Sequence, residues 1–423
     1  MATENTYTLI RCGKLYDGIH EELFENREIL VKGKYIEAVG EKLACPEGTE
    51  IIDLGNLTVT PGLTDAHIHS GNLDTVKRGP SLMSEGYMTI SHVHTAQRSL
   101  ERGFTTIRCL ANNKGFGMVD ARNVVNDGYF PGARMIVGSQ MMGSLGGHAD
   151  MSVFSGLLND PVLSELAVNR NVIGSGADFF RGAVQKQLKF GVDFIKVMYS
   201  GGFMTPQDDP LDAQLNEAEM RAIIDTAHEM HSTVTAHVYG AGNVKRLLSC
   251  GIDGMEHCAL LDEEACRMLE QQTDCYVVNT MHAYEGILNM DESHLANLPS
   301  EFARRKLMKY APMLRETVEI FKSCRIPRLG LGSDIGGGLQ RYDSWAEVAA
   351  WMKFGMGGFR TLHAATMGNA SVFGMEDLIG SIEPGKYADI AGWHRDILND
   401  PEAVSQCDFV MKEGVRYNTV YAK

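Results

Sequence analysis

Two histidines stand two residues apart in Thr64-Asp65-Ala66-His67-Ile68-His69. Side chains of an extended strand alternate faces, so both imidazoles point the same way and can grip one metal ion. Further along, Phe194-Ile195-Lys196-Val197 is an apolar run that would bury a lysine, and a buried ammonium is costly without a partner. A neutral amine in that position can react with CO2 to form a carbamate, which turns the cation into a carboxylate-like bridge between two cations. His237, His257 and Asp334 close three more apolar runs. Four neutral imidazoles, a bridging carbamate and one carboxylate suit two divalent ions, Zn2+ first among them. Any one of these histidines alone reads as a satisfied polar side chain. The reading rests on all six residues falling at corresponding places in five such runs.

A second His-x-His, His92 and His94, lies in segment 84–102. That segment reads as helix, where residues two apart point about 200° apart, so the pair is taken as structural or surface residues.

The elements that must position the six residues form a series. Apolar runs at 62–69, 105–110, 133–139, 192–198, 233–238, 254–258, 275–279 and 328–334 alternate with helical patterns. Segment 216–230 shows the pattern, with Asn216 as a cap, Glu219 at the capping-box position, and Met220, Ile223, Ile224 and Ala227 at helical spacing. Eight strands with helices between them predict a (β/α)8 TIM barrel whose chemistry lies at the C-terminal strand ends. Before residue 61 and after residue 375 the texture changes to short strands broken by glycine turns. Neither end has enough strands alone, which predicts one composite β-sandwich domain, 1–61 with 375–423, around a 62–374 barrel.

Composition narrows the partners. The chain has 423 residues and a formal net charge of -15, which repels nucleic acid and anionic membrane surfaces alike. Nine scattered cysteines without a C-x-x-C pair predict reduced thiols. With no signal-like N-terminus and no long apolar stretch, the expectation is a cytoplasmic protein that acts on a small molecule, as a homo-oligomer.

The combined motifs resemble the amidohydrolase superfamily along essentially the whole chain. They are Thr60-Pro61-Gly62-Leu63-Thr64-Asp65-Ala66-His67-Ile68-His69, Lys196, His237, Glu256-His257, Gly332-Ser333-Asp334 and the stretch from Gly380 to Asp389. Lys196 to Gly202, Gly146-Gly147-His148 and Glu256-His257 resemble the prolidase-like dipeptidase and carboxypeptidase branch. The resemblance implies a binuclear hydrolase cutting dipeptides or N-acyl amino acids next to a free C-terminal carboxylate, through attack by a hydroxide bridging the ions. A cyclic-amide hydrolase like dihydroorotase or hydantoinase is the alternative, and a non-catalytic assembly protein is a third reading. Deaminases are disfavoured because Gly240 stands three residues after His237, where they carry glutamate.

In such a site Asp334 would take the proton of the attacking water and pass it to the leaving amine. Tyr239 would donate to the oxyanion. His148 and the backbone amides of Gly201 and Gly202 would bind the substrate carboxylate, with Arg108, at the end of strand two, either a further candidate for that role or, the preferred reading, one half of a salt bridge at the barrel rim.

Overall fold

The computed structural model describes residues 6–71, 84–111, 115–150, 171–203, 205–206, 208–288, 301–336 and 343–417. Five strands come first, β1 (Tyr7–Leu15), β2 (Phe24–Glu25), β3 (Glu28–Lys32), β4 (Tyr35–Gly40) and β5 (Glu50–Pro61). The central strands are β6 (Leu63–Ile68), β7 (Phe104–Cys109), β8 (Arg134–Val137), β9 (Met142–Ser144), β10 (Val172–Gly174), β11 (Ile195–Met198), β12 (Val234–Tyr239), β13 (Gly254–Ala259), β14 (Tyr276–Asn279) and β15 (Leu329–Leu331). The chain ends in β16 (Ile390–Trp393), β17 (Phe409–Lys412) and β18 (Val415–Tyr417).

The central strands form the predicted barrel. β6, β7 and β8 pair in parallel, as do β11 to β15 in order. A parallel bridge between Gly138 and Phe194 joins the two sets, and one between Ile68 and Ile335 closes the ring. All residues of β6, β7 and β11 to β15 are buried, as expected of parallel strands covered by helices on the outside. The helix Glu217–Glu229 carries the expected capping box, with the Glu219 amide donating to Asn216 and the Asn216 amide to Glu219, both at 3.0 Å.

β9 and β10 were not expected, and each is only three residues long. They pair in parallel beside β11, where Met142 faces Val197, and so extend the sheet at the mouth. The eighth barrel strand is shorter than expected: β15 ends at Leu331, leaving Asp334 on the turn beyond it.

Both termini contribute to one eight-stranded sheet, ordered β18-β17-β16-β5-β1-β3-β4 with β2 on β1. β5 runs into β6 through Gly62, where a Cβ would sit 2.3 Å from Thr105 Oγ1. Arg134 of β8 ties this sheet to the barrel floor by donating to Asp389 at 2.9 Å.

The expectation of reduced thiols throughout fails. Cys266 and Cys324 form a disulfide, with Cα atoms 6.3 Å apart. Their separation of 58 residues hid a contact that the fold creates between helix Glu263–Glu270 and the end of helix Glu301–Ser323. Among the described residues no helix is long and apolar enough to cross a membrane.

Candidate active site

The six candidate ligands come together at the C-terminal mouth of the barrel. His67 and His69 follow one another along the end of β6, with ring centroids 5.3 Å apart. The His67 ring is 4.8 Å from that of His257, which is 4.6 Å from that of His237. Asp334 Oδ1 faces both β6 histidines, at 3.5 Å from His67 Nε2 and 3.1 Å from His69 Nε2. One ligand atom each of His67, His257 and Asp334 lies within 4.8 Å of the others, close enough to share an ion.

Lys196 enters this cluster from β11. It is fully buried, and among the described residues its Nζ has no hydrogen-bond partner. Burial lowers its pKa to about 8, toward the neutral amine that carbamate formation requires. An orphaned amine beside four imidazoles and a carboxylate fits a bridging ligand, and the donor set fits a pair of Zn2+-like ions.

Burial also lowers the pKa values of His67, His237 and His257, which keeps them neutral and able to ligate. Burial alone would raise Asp334, but the His69 hydrogen bond and the facing histidines hold its carboxyl well below the usual range.

The backbone that carries these groups is bent. His257, Cys258, Leu260 and Asp334 all have left-handed φ values, of 68°, 48°, 59° and 52°. Such conformations cost non-glycine residues about 1–3 kcal/mol each and concentrate at functional sites. In β13 the pairing jumps from Val238 with His257 to Tyr239 with Ala259, so Cys258 is bulged out where the strand turns His257 toward the mouth. Three contacts fix His257: its Nδ1 lies 2.8 Å from Thr280 Oγ1, Asn279 donates to its carbonyl, and the Tyr239 ring stacks 5.4 Å away.

Tyr239 and His148 lie beside the cluster. The Tyr239 ring meets His237 edge-on at 4.8 Å, and the His148 ring stacks on His237 at 4.7 Å. The remaining sequence-derived substrate contacts need correction. Arg108 lies inside the barrel with its guanidinium occupied, donating to Glu256 at 2.8 Å, to Tyr276 OH at 2.6 Å and to the Ala66 carbonyl at 3.1 Å. The Gly201 amide donates to the Asp212 carbonyl at 3.0 Å and the Gly202 amide to Asp208 at 3.1 Å, so neither faces a substrate. These glycines serve close packing instead, since a Cβ on Gly202 would sit 2.1 Å from the His148 ring.

The second pair, His92 and His94, lies in helix Glu85–Glu101 as expected. His92 is buried with its Nδ1 2.7 Å from Ser70 Oγ.

A profile of the amidohydrolase family matches residues 58–417. The chain belongs to the amidohydrolase family. This amidohydrolase is 27% identical over 292 residues to the ochratoxinase of Aspergillus niger, a match spanning 65% of the chain but only 59% of that protein's length. A crystal structure of a Xaa-Pro dipeptidase with methionine bound in its active site is 26% identical, with a TM-score of 0.84, covering 97% of this chain and all of that one. The dihydroorotase of Geobacter sulfurreducens is 36% identical over 110 residues, 25% of this chain and 22% of the relative.

Sequence reading assigned no role to one residue of the amidohydrolase's site. Glu256, fully buried on β13, accepts from His67 Nδ1 at 2.8 Å, Arg108 at 2.8 Å and Thr235 at 2.6 Å. Burial opposes its ionisation, but Arg108 and His67 outweigh it and hold the carboxyl well below its ordinary value. The signal was present in Met255-Glu256-His257, where an ionisable side chain sits in a buried run, as Lys196 does in its own.

Proposed function

We propose that this chain is a binuclear metal-dependent amide hydrolase that cleaves dipeptides or N-acyl amino acids beside a free C-terminal carboxylate. His67, His69, Lys196 as a carbamate, His237, His257 and Asp334 would hold two divalent ions, Zn2+ by the chemistry of the donors. When bound, such ions supply an activated water and polarise the scissile carbonyl. The observation that carries the reading is the orphaned Nζ of Lys196, buried among neutral imidazoles and an ionised carboxylate.

The chain's own groups divide the remaining work. A carboxylate oxygen of Asp334 accepts the proton of the attacking water and returns it to the leaving amine nitrogen. Tyr239 OH, kept protonated by burial, donates to the carbonyl oxygen as negative charge develops there. With a net charge of -15 the protein does not steer an anionic substrate from afar, so the carboxylate must be captured locally. With Arg108 and both glycine amides occupied and Tyr239 assigned to the carbonyl oxygen, His148 takes this task among the candidates named from the sequence.

Similarity to a Xaa-Pro dipeptidase over the whole length supports the dipeptide reading. A cyclic-amide hydrolase is the second reading, supported by the local match to dihydroorotases. We assign 62–374 to the catalytic barrel and 1–61 with 375–423 to the composite β domain of a cytoplasmic homo-oligomer. The deciding experiment screens free-acid dipeptides, N-acyl amino acids, the matching peptide amides and dihydroorotate on zinc-loaded protein. Turnover of the free acids alone is the expected result, and equal turnover of amides or cyclic amides overturns it.

A further inference from the structure

Two loops and a helix at the barrel mouth meet at one buried carboxylate. Asp208, after β11, has a side chain 4% exposed, and its Oδ1 accepts from Lys306 Nζ at 2.7 Å. Its Oδ2 lies 3.2 Å from His148 Nδ1, accepts from the Gly202 amide at 3.1 Å and from Gln214 Nε2 at 3.4 Å. Lys306, on helix Glu301–Ser323, also donates to the carbonyls of Gly202 at 2.9 Å and Thr205 at 2.6 Å. His148 Nδ1 is 2.8 Å from Thr205 Oγ1, and the His148 amide donates to Gln214 at 2.8 Å. Among the described residues, both hydrogen-bond contacts of the His148 ring, to Thr205 and to Asp208, therefore run through this hub.

We infer that Asp208 is a positioning residue that fixes the ring of His148 over His237, with Lys306 anchoring Asp208. Asp208 only accepts at neutral pH, so Nδ1 of His148 carries a hydrogen, and Nε2 donates to a substrate carboxylate when the ring, set between two carboxylates, carries a second one. The bonds to Lys306 are long-range in sequence, 98 residues from Asp208 and 104 from Gly202, so helix Glu301–Ser323 sets the place of a ring carried by the loop after β9. The inference deepens the proposed function and rests on its reading of His148 as the carboxylate contact.

The test uses metal-loaded protein carrying D208A, D208N, K306M, H148A, or D208A with H148A. Histidine-selective 15N NMR, with the ring assigned through H148A, reads the tautomer without any turnover. The expected result is that D208A shifts His148 away from the Nδ1–H form at unchanged metal content. D208N, which keeps an oxygen facing Nδ1, restores it in part. With the best free-acid substrate, D208A raises KM by about tenfold or more, the loss expected for one charge-assisted hydrogen bond, with a smaller change in kcat. D208A adds nothing further in the H148A background. An unchanged ring signal in D208A, or KM effects of D208A and H148A that multiply, overturns the inference. A shifted ring with unchanged KM upholds the positioning and overturns the substrate role of His148 instead. If D208A does not fold, D208N and K306M decide by the same readouts.

Discussion

Glu256 holds the imidazole of His67 from behind, with the ring Nδ1 donating to its Oε2 at 2.8 Å while Arg108 grips the other oxygen at 2.8 Å. This fixes the His67 tautomer and leaves Nε2 facing Asp334 and the candidate metal site. Glu256→Gln breaks the arrangement in either orientation of the amide. With its NH2 toward His67 it forces the proton onto Nε2, the ligating nitrogen, and with its NH2 toward Arg108 it sets donor against donor. The expected outcome is a metal affinity lower by about 10- to 100-fold, measured by chelator competition. Affinity equal to the parent's would remove Glu256 from this role.

Asp334→Asn keeps an oxygen that can ligate but has no carboxylate to carry a proton. Metal content is expected to stay near that of the parent while kcat falls by about 10²- to 10⁴-fold. Elemental analysis and turnover on the same sample separate the two effects. A loss below about tenfold assigns the proton transfer to another group.

Lys196 makes opposite predictions for stability and for metal. Its folded pKa is lowered from 10.5 to about 8, so between those values the unfolded chain binds the extra proton. Stability of the metal-free protein therefore rises with pH across that window, and the burial penalty is fully present below it. Lys196→Met removes the penalty. Its metal-free form should melt higher than the parent at about pH 7 and lose the rise toward high pH, while zinc content after loading falls. A variant that melts lower at neutral pH would show that the amine is not a burden in the empty site.

The disulfide gives a count and a stability. Nine cysteines occur in the chain, and seven are free once Cys266 and Cys324 pair. Thiol titration in denaturant should therefore find seven without reductant and nine with it. A bond closing a loop of 58 residues stabilises by about 3 to 5 kcal/mol, which predicts a clear drop in melting temperature on reduction. Nine thiols before reduction would restore the reading of reduced cysteines throughout.

The barrel was legible because parallel strands buried on both faces read as apolar runs, and the ligand residues because ionisable groups at the ends of such runs have few other uses. Contacts made across the fold were harder to read. Arg108 was legible as a salt-bridge residue, but that its donors are spent inside the barrel on Glu256, Tyr276 and Ala66, residues up to 168 positions away, was not. Gly201-Gly202 signalled close approach correctly, but the partners are Asp209 and His148 of this chain and not a ligand. The shortness of β9, β10 and β15 has the same origin: each rests on tertiary pairing at the mouth, and three residues carry too little periodicity to be read.

The two adjacent glycines separate packing from binding in a single experiment. A Cβ on Gly201 would sit 2.2 Å from the Asp209 carbonyl oxygen, a backbone atom that cannot step aside, so Gly201→Ala should lower the melting temperature. On Gly202 the Cβ would meet the His148 ring, 2.1 Å from Cε1 and 2.6 Å from Nδ1. Gly202 needs no left-handed φ, so its backbone accepts alanine and the ring must move. Displacing that ring breaks its bonds to Asp208 and Thr205 and takes Nε2 from the substrate. Loss of a hydrogen bond to a charged group is worth about ten- to a hundredfold, so Gly202→Ala should raise KM for free-acid substrates by that factor. Peptide amides, which present no carboxylate, should bind both proteins equally. A Gly202→Ala enzyme with the parent's KM would mean that His148 does not touch the substrate, and the carboxylate would then need another donor.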